Sequence, residues 1–184
     1  MVEFVKGQMV IHDNIAGVLT NAPTYDWHLN NVRNYLSLTS TATPSVVVNG
    51  TNVTELGQGG GLIGLSADYT PPSRFVRQAY LRQFAYKANN SADAIQLAGH
   101  LLNNVDIPVG VARSTDGKNT VSDYTQWINL KDLKNNRMKI ANYANRTNYI
   151  EIDLNQVFKS GQSKVWQIDK MPFPKNDLTA DLLK

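Results

Sequence analysis

The spacing of hydrophobic residues changes along this chain, and that change constrains the fold more than any other feature of the sequence. Short apolar runs at 2–5 and 8–12 flank Lys6-Gly7 and predict a β-hairpin. From Pro71 the apolar residues recur every three or four positions, and beyond Pro108 they alternate. This order of strands, helices and strands indicates an α+β protein with an antiparallel sheet and its helices on one face.

Three helices are predicted before the C-terminal strands begin. The first follows a short predicted strand at 17–20 and begins after Pro23, with Thr24 as its N-cap. The second begins at Pro71-Pro72, because proline suits the first helical turn, where its missing N–H has no intrahelical acceptor. The third is predicted over 92–103 from its apolar stripe.

The remaining segments are predicted to be strands, turns and a tail. Residues 39–61 have no helical period, and Val46–Val48 followed by Asn49-Gly50 indicates an extended excursion with a turn. Three strands are predicted near the C-terminal end from their alternating residues: 124–130, 137–143 and 149–154. Residues 160–184 carry little pattern and are predicted to be a loose tail.

Composition narrows the classes of function. The 184 residues are 42% hydrophobic and 18% charged, which is a globular balance, and a net charge of +3 predicts no nucleic-acid stripe. The chain has no cysteine, so these residues hold no disulfide, no thiolate metal site and no cysteine nucleophile. The longest apolar runs are a few residues, so no membrane span is predicted. We expect no cofactor, and cytoplasmic and periplasmic locations both remain open.

Few residue patterns point to chemistry by themselves. Three histidines have no metal-ligand spacing and are predicted to be surface or packing residues: His12, His28 and His100. Gly59–Gly64 fits a dinucleotide pattern by letter, but no βαβ unit surrounds it, which favours a loop that lets backbone approach closely. Gly64–Asp68 resembles a serine-nucleophile elbow only in its first three residues, since the second glycine is missing. Arg74 differs from these candidates, because it lies in the first turn of the predicted helix, directly after this glycine-rich loop. Its side chain is therefore expected to face the space that the loop borders.

Two longer segments carry a family resemblance. The segment Gly17–His28 and the segment Gly64–Arg77 resemble signature regions of the choloylglycine hydrolase family, which holds the conjugated bile salt hydrolases and the penicillin V acylases. Residues 102–111 and the hairpin at 124–143 are also similar to that family. The resemblance runs from residue 2 to about 155, and the combination is more specific than any single piece.

The resemblance implies a fold and an activity. Members of the family are N-terminal-nucleophile hydrolases with an αββα sandwich, in which an N-terminal cysteine attacks a linear amide and its own α-amino group acts as the base. That cysteine, its supporting Arg and Asp, and another oxyanion-hole residue lie in the first half of a family member. We therefore expect residues 1–184 to be the C-terminal half, inactive alone, with the missing N-terminal half as a partner.

Two residues of this chain occupy positions that match functional residues in the family's motifs. Asn21 matches the asparagine whose side-chain amide helps form the oxyanion hole, and Arg74 matches the active-site arginine. The family usually has Pro-Gly where this chain has Ser66-Ala67, at the substrate entrance, so the small-molecule amide stays open between bile-salt, penicillin V and acyl-homoserine-lactone types. Residues 39–61 match in length the projecting segment that locks family members into tetramers, which predicts a homo-oligomer.

A second interpretation remains open. The chain could be a non-catalytic binding or assembly domain that reuses the half-fold. If the chain is a half-fold, an apolar sheet face that includes Trp127, Ile128 and Ile140 is predicted to be uncovered, and the isolated chain is predicted to self-associate.

Overall fold

The computed structural model describes residues 1–174 and Thr179, and these residues form two compact units. Unit 1 comprises Met1–Lys87 and Asn103–Val105, and unit 2 comprises Ala88–Leu102 and the chain from Asp106 onward. Helices and antiparallel strands occur together, which confirms the predicted α+β class. No helix among the described residues is long and apolar enough to cross a membrane.

Unit 1 has two antiparallel hairpins, made of β1 (Val2–Val5), β2 (Gln8–Ile11), β3 (Val46–Val48) and β4 (Thr51–Val53). The first was predicted as a hairpin, and the second lies in the segment predicted to be an extended excursion with a turn. Their turns need left-handed backbone, with φ of 47° at Asn49 and 80° at Gly50, and asparagine and glycine tolerate that conformation. The two-residue turns therefore set the register of each pair.

The helices of unit 1 are α1 (Tyr25–Val32) and α2 (Pro71–Phe84), and both begin where the sequence predicts. Thr24 occupies the N-cap position of α1, but its side chain makes no capping hydrogen bond. Instead the backbone N–H of Tyr25 donates to both carboxylate oxygens of Glu3, each at 3.1 Å. The first turn of α1 is thus capped by a residue of β1, far away in sequence.

The core of unit 1 lies where α1 meets α2. Tyr25, His28, Phe75 and Val76 are all fully buried. The His28 ring stacks on Phe75 with a centroid distance of 4.6 Å, and Tyr25 meets Phe75 edge-on at 5.9 Å. These ring contacts fix the two helices against each other.

The prediction of a strand at 17–20 was wrong. This segment pairs with no strand in the described part of the chain, and side chains hold it instead. The N–H of Val18 donates to Asn14 Oδ1 at 3.3 Å, and the hydroxyl of Thr20 donates to the carbonyl of Pro71 at 3.2 Å. A short apolar run predicts extended backbone, but a strand also requires a paired neighbour.

The described part of unit 2 is built from α3, five strands and α4. Its elements are α3 (Ser91–Asn103), β5 (Ala112–Asp116), β6 (Asn119–Asp123), β7 (Trp127–Asp132), β8 (Arg137–Asn142), β9 (Ile150–Asp153) and α4 (Leu154–Ser160). The strands β7, β8 and β9 form an antiparallel sheet in that order, and β5 pairs with β6 in a separate hairpin. The sequence analysis missed α4, although Asp153 caps it by accepting from the N–H groups of Asn155 and Gln156.

The pleat of β7 divides the apolar residues that were predicted to share one face. Trp127 and Ile128 are neighbours in a strand, so their side chains point to opposite faces, and Ile140 lies opposite Asn129 on the face of Trp127. Only Trp127 is exposed, at 50%, whereas Ile128 and Ile140 are buried. Leu130 shares the face of Ile128 and lies within van der Waals reach of Gly99 in α3. The prediction of a single uncovered apolar face was therefore wrong.

Part of the predicted loose tail is held against unit 2. The side-chain amide of Asn142 donates to the carbonyl of Ile168 at 2.9 Å, and that of Asn148 donates to the carbonyl of Pro174 at 2.6 Å. A short 3₁₀ turn spans Ile168–Lys170. The rest of the predicted tail, residues 175–178 and 180–184, lies outside the described residues.

Candidate active site

The two residues that the sequence singled out, Asn21 and Arg74, are in direct contact. The Arg74 Nη2 donates to Asn21 Oδ1 at 2.7 Å, although the residues are 53 positions apart. Asn21 precedes α1 and is exposed, and Arg74 lies in the first turn of α2 and is partly buried. The fold of unit 1 therefore brings an amide and a guanidinium together at the adjacent starts of two helices.

The Arg74 side chain is held at more than one point. Its Nε donates to the carbonyl of Tyr69 at 3.0 Å, in the loop immediately before α2. Its backbone N–H donates to the carbonyl of Thr70 at 2.9 Å, within the first helical turn. A guanidinium is planar, so bonds at both Nε and Nη2 fix the plane in which it lies.

The contact with Arg74 orients the amide of Asn21. Because a guanidinium only donates, the atom that faces it must be the carbonyl oxygen Oδ1. The Nδ2 hydrogens of Asn21 then point away from Arg74, and they make no hydrogen bond to any residue that the structure describes. The pair thus presents an oriented N–H donor that a developing negative charge could use.

His28 anchors the backbone of Asn21, a role that the sequence analysis missed. Its Nε2 lies 2.9 Å from the carbonyl oxygen of Asn21 and 3.3 Å from the Thr20 hydroxyl oxygen. Since a carbonyl only accepts, Nε2 must carry the proton in this tautomer. His28 is also 1% exposed, so the prediction that it packs is confirmed, and the same ring serves as a donor. The one hint in the sequence was that His28 lies seven residues after Asn21, in the helix that Asn21 precedes.

The other histidines do not join this pair. His12 lies between two carboxylates, with Nε2 at 3.1 Å from Glu3 and Nδ1 at 3.3 Å from Asp26. His100 belongs to unit 2. Among the described residues no group of three His, Asp or Glu side chains could hold a metal ion.

The glycine cluster serves close packing of backbone. Gly59 has a φ of 99°, and a 3₁₀ turn spans Gly60–Leu62. A Cβ at Gly61 would lie 2.5 Å from the carbonyl oxygens of Thr39 and Thr41, so only glycine fits there. The N–H of Thr39 donates to the carbonyl of Gly61 at 3.0 Å. This confirms a loop that permits close backbone approach.

Comparisons with known proteins all point to the same family. Residues 1–158 match the family described as linear amide C–N hydrolases, choloylglycine hydrolase family. A bile salt hydrolase/transferase from Clostridium perfringens is 41% identical over 133 residues, covering 71% of this chain and 40% of that protein. A bile salt hydrolase/transferase from Bifidobacterium longum is 33% identical over 118 residues, covering 64% of this chain and 37% of that protein.

Solved structures share the fold. A variant of conjugated bile acid hydrolase from Clostridium perfringens has a TM-score of 0.71 at 34% identity, covering 96% of this chain and 50% of that one. Penicillin V acylase from Agrobacterium tumefaciens has a TM-score of 0.59 at 23% identity, covering 84% of this chain and 41% of that one. The chain spans half, or less, of the length of these relatives.

Proposed function

Because the chain belongs to the choloylglycine hydrolase family, we propose that it contributes Asn21 and Arg74 to an enzyme that hydrolyses a linear amide C–N bond. The proposed substrate class is bile-salt-like or penicillin-V-like, as the names of the relatives suggest. The observation that carries the proposal is the hydrogen bond from Arg74 to Asn21, which leaves the amide donor of Asn21 directed away from the guanidinium.

Asn21 is proposed as one donor of an oxyanion hole. When a nucleophile attacks an amide carbonyl, negative charge develops on the oxygen, and a fixed N–H stabilises that charge more than it stabilises the ground state. The held geometry supports this role, because His28 fixes the Asn21 backbone and Arg74 fixes its side chain. Removing one such donor lowers kcat by about a hundredfold to a thousandfold in comparable sites.

Arg74 is proposed to have two roles. It orients the amide of Asn21, and its positive charge favours negative groups that gather near the nucleophile. Two of the acceptors of its side chain are neutral oxygens, Asn21 Oδ1 and the Tyr69 carbonyl. Neither of these two bonds neutralises the guanidinium.

The nucleophile is proposed to lie outside these 184 residues. The chain has no cysteine, and the family resemblance implies an N-terminal cysteine whose α-amino group acts as base. The partner segment is therefore the N-terminal half of a choloylglycine-hydrolase-like domain, of which residues 1–184 are the C-terminal half. The 184-residue chain alone is expected to release no amine from penicillin V or glycodeoxycholate.

An assembly role for 39–61 is part of the proposal. The hairpin of β3 and β4 lies in this segment, and every residue of both strands is exposed, including three consecutive valines. A hairpin that exposes an apolar strand of this kind is suited to pair with a copy of itself in a homo-oligomer. The same surface supports the alternative function, a non-catalytic binding or assembly domain.

A chimera tests which function holds. The N-terminal half of the Clostridium perfringens relative, which we expect to carry the nucleophile, is joined ahead of Val2, and release of amine from glycodeoxycholate is followed. We expect hydrolysis by the chimera, and we expect Asn21→Ala to lower kcat by about a hundredfold with a smaller change in KM. Asn34→Ala serves as the matched control, since Asn34 is exposed and, within the described part of the chain, hydrogen-bonds only to the nearby Asn31.

Two results would count against the proposal. Hydrolysis that stays within about threefold after Asn21→Ala would make Asn21 only a turn residue before α1, because such a change is far below the loss of an oxyanion donor. A folded chimera that binds the bile salt without releasing amine would favour the binding or assembly domain.

A further inference from the structure

A second arginine, one turn after Arg74 in α2, is buried. Arg77 is 7% exposed, and burial lowers the pKa of its guanidinium. Its Nη2 is buried and has no hydrogen-bond partner among the described residues. Burying a charged group costs free energy, so its side chain must contribute something that a small apolar residue would not.

Arg77 binds the backbone of the loop that precedes its own helix. Its Nη1 donates to the carbonyls of Ser66 and Asp68, at 2.8 Å and 3.1 Å. Its Nε donates to the carbonyl of Asn104 at 2.8 Å. All these acceptors belong to unit 1. A planar fork with several donors can hold such carbonyls at once, which a lysine ammonium cannot do in the same geometry.

The side chain of Asp68 holds the same loop from the other side. Its Oδ1 accepts from the N–H of Thr70 at 2.8 Å and from the Thr70 hydroxyl at 2.6 Å, and its Oδ2 accepts from the Ser73 hydroxyl at 2.5 Å. The hydrogen bond from Ser73, followed by those from Thr70, lowers the pKa of Asp68. Asp68 thus ties the loop to the first turn of α2.

Tyr69 lies between these two anchors, and its carbonyl is the acceptor for Arg74 Nε. Arg77 holds the carbonyl before Tyr69, and Asp68 holds the N–H after it. The position of the Tyr69 carbonyl is therefore set by Arg77 and Asp68 together. That carbonyl sets the plane of the Arg74 guanidinium, which in turn orients Asn21.

We propose that Arg77 is a positioning residue for the Arg74–Asn21 pair, acting through the loop at 66–70 with Asp68 as its counterpart. The inference rests on the proposed function, since it assigns a role toward the residues of that site. Arg77 touches neither Asn21 nor the amide that would be cleaved, so its effect travels through the Tyr69 carbonyl and Arg74.

The test uses the isotope-labelled 184-residue chain and nuclear magnetic resonance. Hydrogen exchange of the Arg74 Nε–H reports its bond to Tyr69, and the two Nδ2 proton signals of Asn21 report the orientation of the amide. Arg77→Lys keeps the charge and removes the fork, and Arg77→Met removes both. Arg82→Lys is the matched control, because Arg82 lies on the same helix, is exposed and, among the described residues, hydrogen-bonds only to the carbonyl of Ala16, at 3.3 Å.

We expect Arg77→Lys to speed exchange of the Arg74 Nε–H by about tenfold while the backbone amides of β1 and β2 keep their protection, which separates a local effect from general loosening. Arg82→Lys should change neither signal. Where Arg77→Met fails to fold, Asp68→Asn gives the second measurement, with a smaller increase in exchange because the neutral amide keeps one acceptor oxygen.

Unchanged exchange of Arg74 Nε–H in both Arg77→Lys and Asp68→Asn would overturn the inference. So would an Arg74 Nε–H that is unprotected in the wild-type chain. Failure of the proposed function has a different signature, because it is read from amine release by the chimera and not from exchange in the 184-residue chain.

Discussion

Replacing His28 with leucine should destabilise unit 1 by about 2 kcal/mol. The interactions that are lost contribute more free energy than the replacement recovers. The losses are the bond from Nε2 to the Asn21 carbonyl, worth about 1–3 kcal/mol when its partner is left without a donor, and the stack on Phe75, worth about 0.5–1.5 kcal/mol. The substitution also removes the buried Nδ1, which has no hydrogen-bond partner among the described residues. Removing this unsatisfied atom should recover about 1 kcal/mol of stability.

His28→Gln is the matched variant. Glutamine can donate to the same carbonyl but cannot stack as imidazole does, so its cost should be about half that of leucine. The comparison separates the hydrogen bond from the ring contact. Leucine fills a similar volume, so neither variant should open a large cavity next to Phe75.

The assay follows urea denaturation through Trp27 alone. The chain has three tryptophans, and Trp127→Phe with Trp166→Phe leaves Trp27, whose ring meets His28 edge-on at 5.6 Å. Trp27 reports unit 1 without a signal from unit 2. A leucine variant within about 0.5 kcal/mol of its parent, or one more stable than the glutamine variant, would refute the reasoning, since surface substitutions alone vary that much.

Three further predictions concern pH, packing and assembly. The pKa of Asp68 is lowered in the folded chain, so the ionised carboxylate stabilises the fold. This stabilisation is complete above the unfolded pKa of about 4 and is lost as pH falls through the lower, folded pKa. Asp68→Asn should therefore reduce the loss of unit 1 stability in acid, followed by Trp27 fluorescence. Ile128→Ala should destabilise unit 2 by about 2–4 kcal/mol in urea, followed by Trp127 fluorescence, because Ile128 is 5% exposed. Val47→Lys should shift the chain toward monomer in light scattering behind a sizing column, and an unchanged mass would remove β3 from the proposed assembly surface.

Local features could be predicted because their causes are local. Asn49-Gly50 marks a turn whatever surrounds it, since both residues tolerate positive φ, and Pro71 marks a helix start because it needs no hydrogen bond there. The alternation in β7 likewise follows from one face being buried, the face of Ile128 and Leu130. Asn21 and Arg74 could be identified because the motifs around them resemble those of a known family, and this resemblance does not depend on their contact.

Contacts between distant residues were decided by the tertiary structure. The sequence contains Thr24 at an N-cap position, but Glu3 caps α1, because β1 folds back over the helix start. An apolar run at 17–20 predicts a strand, yet pairing depends on a neighbour that the described chain does not provide. Arg77 resembles any other arginine on an amphipathic helix until the loop at 66–70 closes over it.

The sequence by itself determined the turn at Asn49-Gly50 and the starts of α1 and α2, and its motifs singled out Asn21 and Arg74. Only the tertiary structure decided that Arg74 orients the amide of Asn21 and that His28 holds its backbone. The physical reason is the range of the interactions. Backbone conformation responds to a few neighbouring residues, whereas a buried hydrogen bond requires a donor and an acceptor that the chain brings together only by folding.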